Sequence, residues 1–244
     1  MTEPENTAPV DDVWEGPLQP PPFWLRPELE VTEHRPPLER GPFIVACVQA
    51  LLALGLTTEQ ALGVQANTIS EIGWKFKFRA WNLGGVKINK NTCKNPDGSP
   101  RRWWRALGHK KSGDAHTCFY RAYDSLEAYF AEWIRVFVPK PPAKGRYGAT
   151  GARFWAGLEW FSAMVDAGYK GEVTKANPTN SLTAHRALVR EVSEYWAQHL
   201  LGGLVVDGAW GKKTQARCRE WQKEQGLAET GELDEATRRA LFTP

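Results

Sequence analysis

Thr57-Thr58-Glu59-Gln60-Ala61-Leu62-Gly63-Val64-Gln65-Ala66-Asn67-Thr68-Ile69-Ser70-Glu71-Ile72-Gly73 is the stretch from which the fold is read. Thr57, with Gln60 three residues on, has the spacing of a capping box, in which each side chain satisfies the other's backbone N–H. Leu62, Ala66 and Ile69 recur on one helical face, and Gly73 is the stop. Just upstream, Phe43 to Leu54 is apolar nearly all round behind Pro42, which a first helical turn tolerates. This predicts a buried helix ended by Gly55. Downstream, residues 89–118 are rich in Asn, Gly, Lys and Pro, with turn signals at Asn95-Pro96-Asp97-Gly98 and Lys111-Ser112-Gly113-Asp114 around Trp103-Trp104. They predict a small β-hairpin lobe. Helical spacing returns at Leu126, Phe130, Trp133 and Phe137 behind an Asp124 or Ser125 cap, and again from Phe154 to Ala167, where Gly168 stops it.

The rest of the chain follows from the same signals. Asn177-Pro178-Thr179-Asn180 predicts a linker. Beyond it Leu188, Val192, Trp196 and Leu200, then Cys218 and Trp221, then Ala240 and Leu241 predict a bundle of three short helices. The expected architecture is mainly α (α+β): a proline-rich extended tail (1–41), a helical domain with a hairpin lobe (42–176), a linker (177–184) and a three-helix bundle (185–244).

The chain has 244 residues, 42% of them apolar and 24% charged, enough for one ordinary domain and a small one. Disorder throughout is excluded. The net charge of +3, on dispersed basic residues, argues against a nucleic-acid partner. Phe43 to Leu54 is too short for a bilayer, so no stable membrane insertion is expected. Met1 to Asp12 has Glu3 and Glu5 and no apolar run behind them, unlike a secretory signal. The expected course is synthesis in the cytoplasm and action elsewhere after release or injection. The tail carries nine prolines before residue 38, a composition that cannot bury a core. It is read as a solvated leader or an arm on the main domain, with docking to a carrier or tail partner as the functional alternative. A monomer is expected.

Val206-Asp207-Gly208-Ala209-Trp210-Gly211-Lys212-Lys213-Thr214, Trp221-Gln222, Gly226-Leu227, Gly231, Asp234, Thr237 and Ala240-Leu241 together resemble the three-helix peptidoglycan-binding domain. Arg217 and Cys218 depart from that family's usual Ala and Val. Physically, Asp207-Gly208 and Gly211 read as a tight turn positioning Thr214 as a helix cap, and Gly226-Leu227 as a left-handed stop. Most of these residues shape the domain rather than touch a ligand.

The middle of the chain resembles the flagellar-type N-acetylglucosaminidases of glycoside hydrolase family 73 over about 130 residues. The matching blocks, in order, are Ser70-Glu71-Ile72-Gly73-Trp74, Asn82-Leu83-Gly84-Gly85-Val86-Lys87, Tyr120-Arg121-Ala122-Tyr123-Asp124-Ser125, Arg146-Tyr147 and Ala167-Gly168-Tyr169. Ile72, Lys75 and Gly84 replace family residues. The resemblance implies a lysozyme-like fold with a glycan cleft between a helical body and the hairpin lobe. It also implies Glu71 as general acid and substrate contacts from Trp74, Asn82, Arg121 and Tyr147.

Glu71 has a physical case of its own. The last turn of a helix disfavours negative charge, and Ile69, Ile72, Trp74 and Phe76 flank it in sequence, so a raised pKa is expected. A glycosidase needs such an acid to protonate the leaving oxygen. The resemblance implies a second acid in the hairpin lobe, but Arg105 to Gly108 stand where it is expected. Asp114, ahead of Asp97, is the candidate for activating water. Substrate assistance, with Tyr123 or Tyr169 stabilising the charge, and a lytic transglycosylase with one acid are the alternatives. Trp81, Trp103 and Trp104 are read either as sugar platforms or as packing. Cys47 and Cys218 read as core thiols. Cys93 and Cys118 are read as free thiols or as a disulfide closing the insert; zinc, with His109 and His116, is the third alternative, but the spacings fit no standard ligand set, so no metal or cofactor is expected. The expected activity is endolysin-like hydrolysis of peptidoglycan glycan strands at an N-acetylglucosaminyl bond. A muramidase, a transglycosylase and a non-catalytic wall-binding protein are the alternatives.

Overall fold

The computed structural model describes residues 26, 28, 30, 39–72, 82–83, 93–95, 97–109, 115–169 and 178–243, with backbone alone for 104–109, 115–118 and 178–180. The fold is mainly α, as the patterning predicts, and the chain divides into two compact units. One holds residues 1–33 and 86–122, the other residues 34–85 and 123–244.

The smaller unit is the expected hairpin lobe. β1 (Trp103–His109) pairs antiparallel with β2 (Ala115–Arg121), from Trp103 opposite Arg121 to His109 opposite Ala115. The turn predicted around Asp97 forms, with Gly98 N donating to Asn95 O and Asp97 accepting from both the backbone and the hydroxyl of Ser99. Trp103 is fully buried, its ring edge-on to Phe119 with centroids 5.8 Å apart and its indole N–H on Arg26 O at 2.9 Å. Glu30 forms a parallel bridge to Trp103, so this part of the proline-rich segment lies along the lobe. Trp103 is therefore not a sugar platform: its indole is spent on anchoring a neighbouring segment.

The larger unit is helical. α1 (Arg40–Ala53) buries Phe43, Ile44, Val45, Cys47, Val48 and Leu51, and Gly55 at φ 83° turns the chain. α2 (Thr58–Ile72) opens on the predicted capping box: Gln60 Oε1 accepts from Thr57 N at 2.9 Å, and Thr57 Oγ1 accepts from Gln60 N at 3.3 Å. Nine consecutive residues, Ala61 to Ile69, are buried, making α2 the central helix of the body. α3 (Leu126–Phe137) is capped by Ser125, whose hydroxyl accepts from Ala128 N, and buries Leu126, Tyr129, Phe130 and Trp133. Each such side chain contributes about 1.5–3 kcal/mol by leaving water.

The helix expected from Phe154 to Ala167 is instead two, α4 (Gly148–Trp155) and α5 (Phe161–Asp166). Gly157 takes φ 68° after α4, and Glu159 accepts from Phe161 N and Ser162 N, capping a new helix start. Gly168, at φ 81°, ends α5 as predicted.

The stretch read as a linker is helical from Pro178 on. α6 (Pro178–Leu201) runs 24 residues, since proline is suited to a first helical turn, and it packs on α1, α2 and α5 before meeting α7 (Lys212–Glu224) and α8 (Glu235–Phe242). Its buried set is Val192, Tyr195, Trp196 and Leu201, while Leu200 is 39% exposed and Leu188 half-buried. In α8 the core residue is Phe242 rather than Ala240 or Leu241. The three-helix bundle and the body thus share one core. Thr58 Oγ1 donates to Phe242 O at 3.0 Å, and His185 Nε2 lies 3.0 Å from Gly63 O with its ring stacked on Phe161. No described helix is long and apolar enough to cross a membrane.

Candidate functional site

Glu71 is the penultimate residue of α2 and is exposed. Of the apolar neighbours expected to enclose it, Ile69 faces away. Two residues along a helix turn through roughly 200°, so Ile69, 1% exposed, points into the core while Glu71 points out. Ile72 is half-buried, and Trp74 and Phe76 lie outside the described residues.

A hydrogen-bond partner of Glu71 comes from 98 residues away. Tyr169 Oη donates to Glu71 Oε1 at 2.5 Å, and Asn67, one turn before Glu71, donates through Nδ2 to Tyr169 Oη at 2.9 Å. The end of α5 fixes the phenol. Gly168 N donates to Val165 O and Tyr169 N to Met164 O, the paired bonds of a left-handed helix stop. Arg146 donates to the carbonyls of Ala167 and Gly168, placing a cation at the helix C-terminus. The Arg146-Tyr147 block thereby acts through its arginine as a clamp on the Tyr169 loop. Tyr147 itself is half-buried against Phe137, ring centroids 5.1 Å apart.

Two more phenols complete the group. Tyr129 is fully buried in α3, and Tyr123 sits edge-on to it at 5.4 Å. Burial, then the negative charge of Glu71 and the hydrogen bond to it, push the Tyr169 hydroxyl well above the usual phenol range. Burial first, then Tyr123 and Glu71, do the same for Tyr129. Both phenols are protonated at neutral pH. Chemically the arrangement is a carboxyl group held by a neutral hydroxyl.

Other residues marked by sequence fall elsewhere. Asn82 and Arg121 are buried, at 3% and 5% exposure. For Arg121 the reason is its place opposite the buried Trp103 at the end of the ladder. Asp97 is a turn aspartate, its carboxyl held below the usual range by the Ser99 hydroxyl and backbone. Asp114 and Trp81, like Trp74, lie outside the described residues, as do the side chains of Trp104, His109, His116 and Cys118. Cys47 and Cys218 are buried thiols, as expected. Among the described residues no group of His, Cys, Asp or Glu could hold a metal ion. Sequence reading missed Asn67, although its position four residues before Glu71 puts the two on one helical face.

The C-terminal bundle is organised by two buried amides, of which Gln198 carried no motif signal. Gln198 accepts from Asp207 N and Gly208 N and donates to Asp207 Oδ1 and Ala209 O, pinning the 207–209 turn. Gln222 accepts from Gly231 N and donates to Thr237 Oγ1 and Glu232 O, pinning the next turn. Thr214 is not the cap of α7. Gly211 occupies that position, and the Thr214 hydroxyl folds back to Ala209 O instead. The stop at Gly226-Leu227 forms as predicted, Leu227 N donating to Gln222 O at 2.8 Å. A cavity of about 320 Å³ opens beside Trp210, lined by Arg190, Glu194, Glu232, Asp234 and Arg238.

The family described as peptidoglycan binding domain matches residues 186–241. No curated protein and no solved structure matches the chain. The match runs from the third turn of α6 nearly to the end of α8, so it covers the elements that Gln198 and Gln222 hold together. The chain therefore carries a peptidoglycan-binding domain, and the bacterial cell wall is what that domain associates with.

Proposed function

We propose that the chain is a peptidoglycan hydrolase that cuts glycosidic bonds of the glycan strand, with Glu71 as general acid and the N-acetylglucosaminyl bond as its target. The observation that carries this reading is the Tyr169–Glu71 hydrogen bond at the exposed end of α2, in a body that shares its core with a peptidoglycan-binding domain. Glu71 protonates the leaving glycosidic oxygen, and Tyr169 keeps the carboxyl in one orientation while it does so. Because α6 packs directly on α1 and α2, wall binding holds the polymer against the body instead of tethering it on a flexible linker. In this reading the protein is made in the cytoplasm and meets the wall after release through a membrane pore, as an endolysin does, or after injection.

The Tyr169 hydroxyl beside Glu71, a group able to stabilise developing charge, favours as second reading substrate assistance, with lytic transglycosylation as its one-acid variant. Purified sacculi separate the readings. Glu71→Gln abolishes release of soluble fragments, a loss of about 10²–10⁴-fold for removal of a general acid, while pelleting with sacculi persists. A variant that still clears sacculi sinks the assignment of Glu71. Wild-type protein that binds without cutting makes the chain a wall-binding protein. Mass spectrometry of the fragments gives the bond: reducing N-acetylglucosamine for the proposed activity, reducing muramic acid for a muramidase, anhydromuramic acid for a transglycosylase.

A further inference from the structure

We infer that Asn67 is a positioning residue, which acts on Glu71 through Tyr169 by fixing the direction of the Tyr169 hydroxyl. The inference rests on the proposed role of Glu71. A phenol has one proton. Asn67 Nδ2 can only donate, so Tyr169 Oη accepts at 2.9 Å, and the phenolic proton is left for Glu71 Oε1 at 2.5 Å. Oε1 is thereby an obligatory acceptor, and the transferable proton of the acid is carried on Oε2. One buried amide thus selects which carboxyl oxygen meets the substrate.

The surroundings of Asn67 point the same way. The side chain is fully buried, and among the described residues its Oδ1 has no hydrogen-bond partner. A buried amide with one end unsatisfied costs folding stability, so stability does not explain an asparagine here. Its satisfied end serves a single contact, the one to Tyr169. The phenol is in turn protonated at neutral pH, because burial and the adjacent carboxylate oppose its ionisation.

The test is a double-mutant cycle on Asn67→Leu and Tyr169→Phe in the full chain. Asn67→Leu is expected to melt no lower than wild type, since an apolar group replaces an orphaned amide. Its turnover on sacculi falls roughly tenfold to a hundredfold, the order lost when a reacting group is misplaced. The pH profile moves in the same direction as in Tyr169→Phe, and adding Asn67→Leu to Tyr169→Phe changes nothing further. Asn67→Asp, which takes the phenolic proton away from Glu71, loses more than Asn67→Leu. An unmoved profile, or an equal loss in both backgrounds, overturns the inference. A readout free of catalysis keeps it separate from the hydrolase reading. The buried Tyr169 hydroxyl proton should give a slowly exchanging downfield resonance, absent in Tyr169→Phe and displaced in both Glu71→Gln and Asn67→Leu. A resonance unmoved by Asn67→Leu refutes the relay even in an active enzyme, and a displaced one upholds it even if sacculi are never cut.

Discussion

Gly41 decides whether the wall-binding bundle and the helical body are one folding unit. It lies in the first turn of α1, buried, and a Cβ there would stand 1.8 Å from the carbonyl oxygen of Val206, in the chain segment between α6 and α7. Real Cβ atoms stay at least 3.0 Å from such an atom, so Gly41→Ala requires a displacement of 1.2 Å between two backbones. Two effects oppose each other. Alanine is favoured over glycine in a helix interior by about 1 kcal/mol, and less in a first turn. Forcing an extra carbon into a packed seam costs about 1–3 kcal/mol, and a backbone neighbour belongs at the upper end because no side chain can swing away. The clash wins, for a net loss of about 2 kcal/mol. In a chain of this size that lowers Tm by roughly 4–8 °C. Scanning calorimetry is the assay. The expected record is one transition that moves down as a whole, since α6 is part of both cores. A Tm that stays or rises, or a bundle that melts separately from the helical body, would refute the shared core.

Two further outcomes test the electrostatics. Asp234 caps α8, and the Thr237 backbone N–H, followed by the Thr237 hydroxyl, holds its carboxyl below the ordinary 3.8. A carboxylate with a depressed folded pKa contributes stability that is present above the unfolded value and lost as pH falls through the folded one. Asp234→Ala should therefore cost about 1 kcal/mol at pH 6 in urea melts and progressively less below about pH 3.5. A penalty that persists or grows in acid is the wrong sign. The buried thiols should be inert: desolvation pushes Cys218 up to about 11 and Cys47 well above its ordinary range, so a thiol reagent at neutral pH modifies them only after unfolding. Modification at the rate of an exposed thiol in the native protein contradicts their burial.

Much of this molecule is local and so legible in one dimension. The Thr57–Gln60 box, the Ser125 cap, the glycine stops at 55, 168 and 226 and the hairpin strands each depend on a few neighbouring residues, and all stand where the patterning predicts them. The peptidoglycan-binding pattern was readable for the same reason: its glycines and amides build turns within some twenty residues of themselves. Errors came where a short-range signal had a long-range answer. Asn177-Pro178 reads as a linker, yet Pro178 starts a helix because α1 and α2 offer α6 a surface to cover. Trp103 reads either as a platform or as packing, and the choice falls to packing through Arg26, 77 residues earlier, whose carbonyl takes the indole N–H.

Sequence alone determined the helical class, the hairpin and the wall-binding bundle, because backbone propensity, capping and period act between residues close along the chain. It also marked Glu71. Tertiary structure decided the surroundings of that residue: that Ile69 turns away from it, that Tyr169 reaches it across 98 positions, and that Asn67 aims the phenol. Hydrogen-bond direction depends on which groups meet in space, and no periodicity along a chain encodes that meeting.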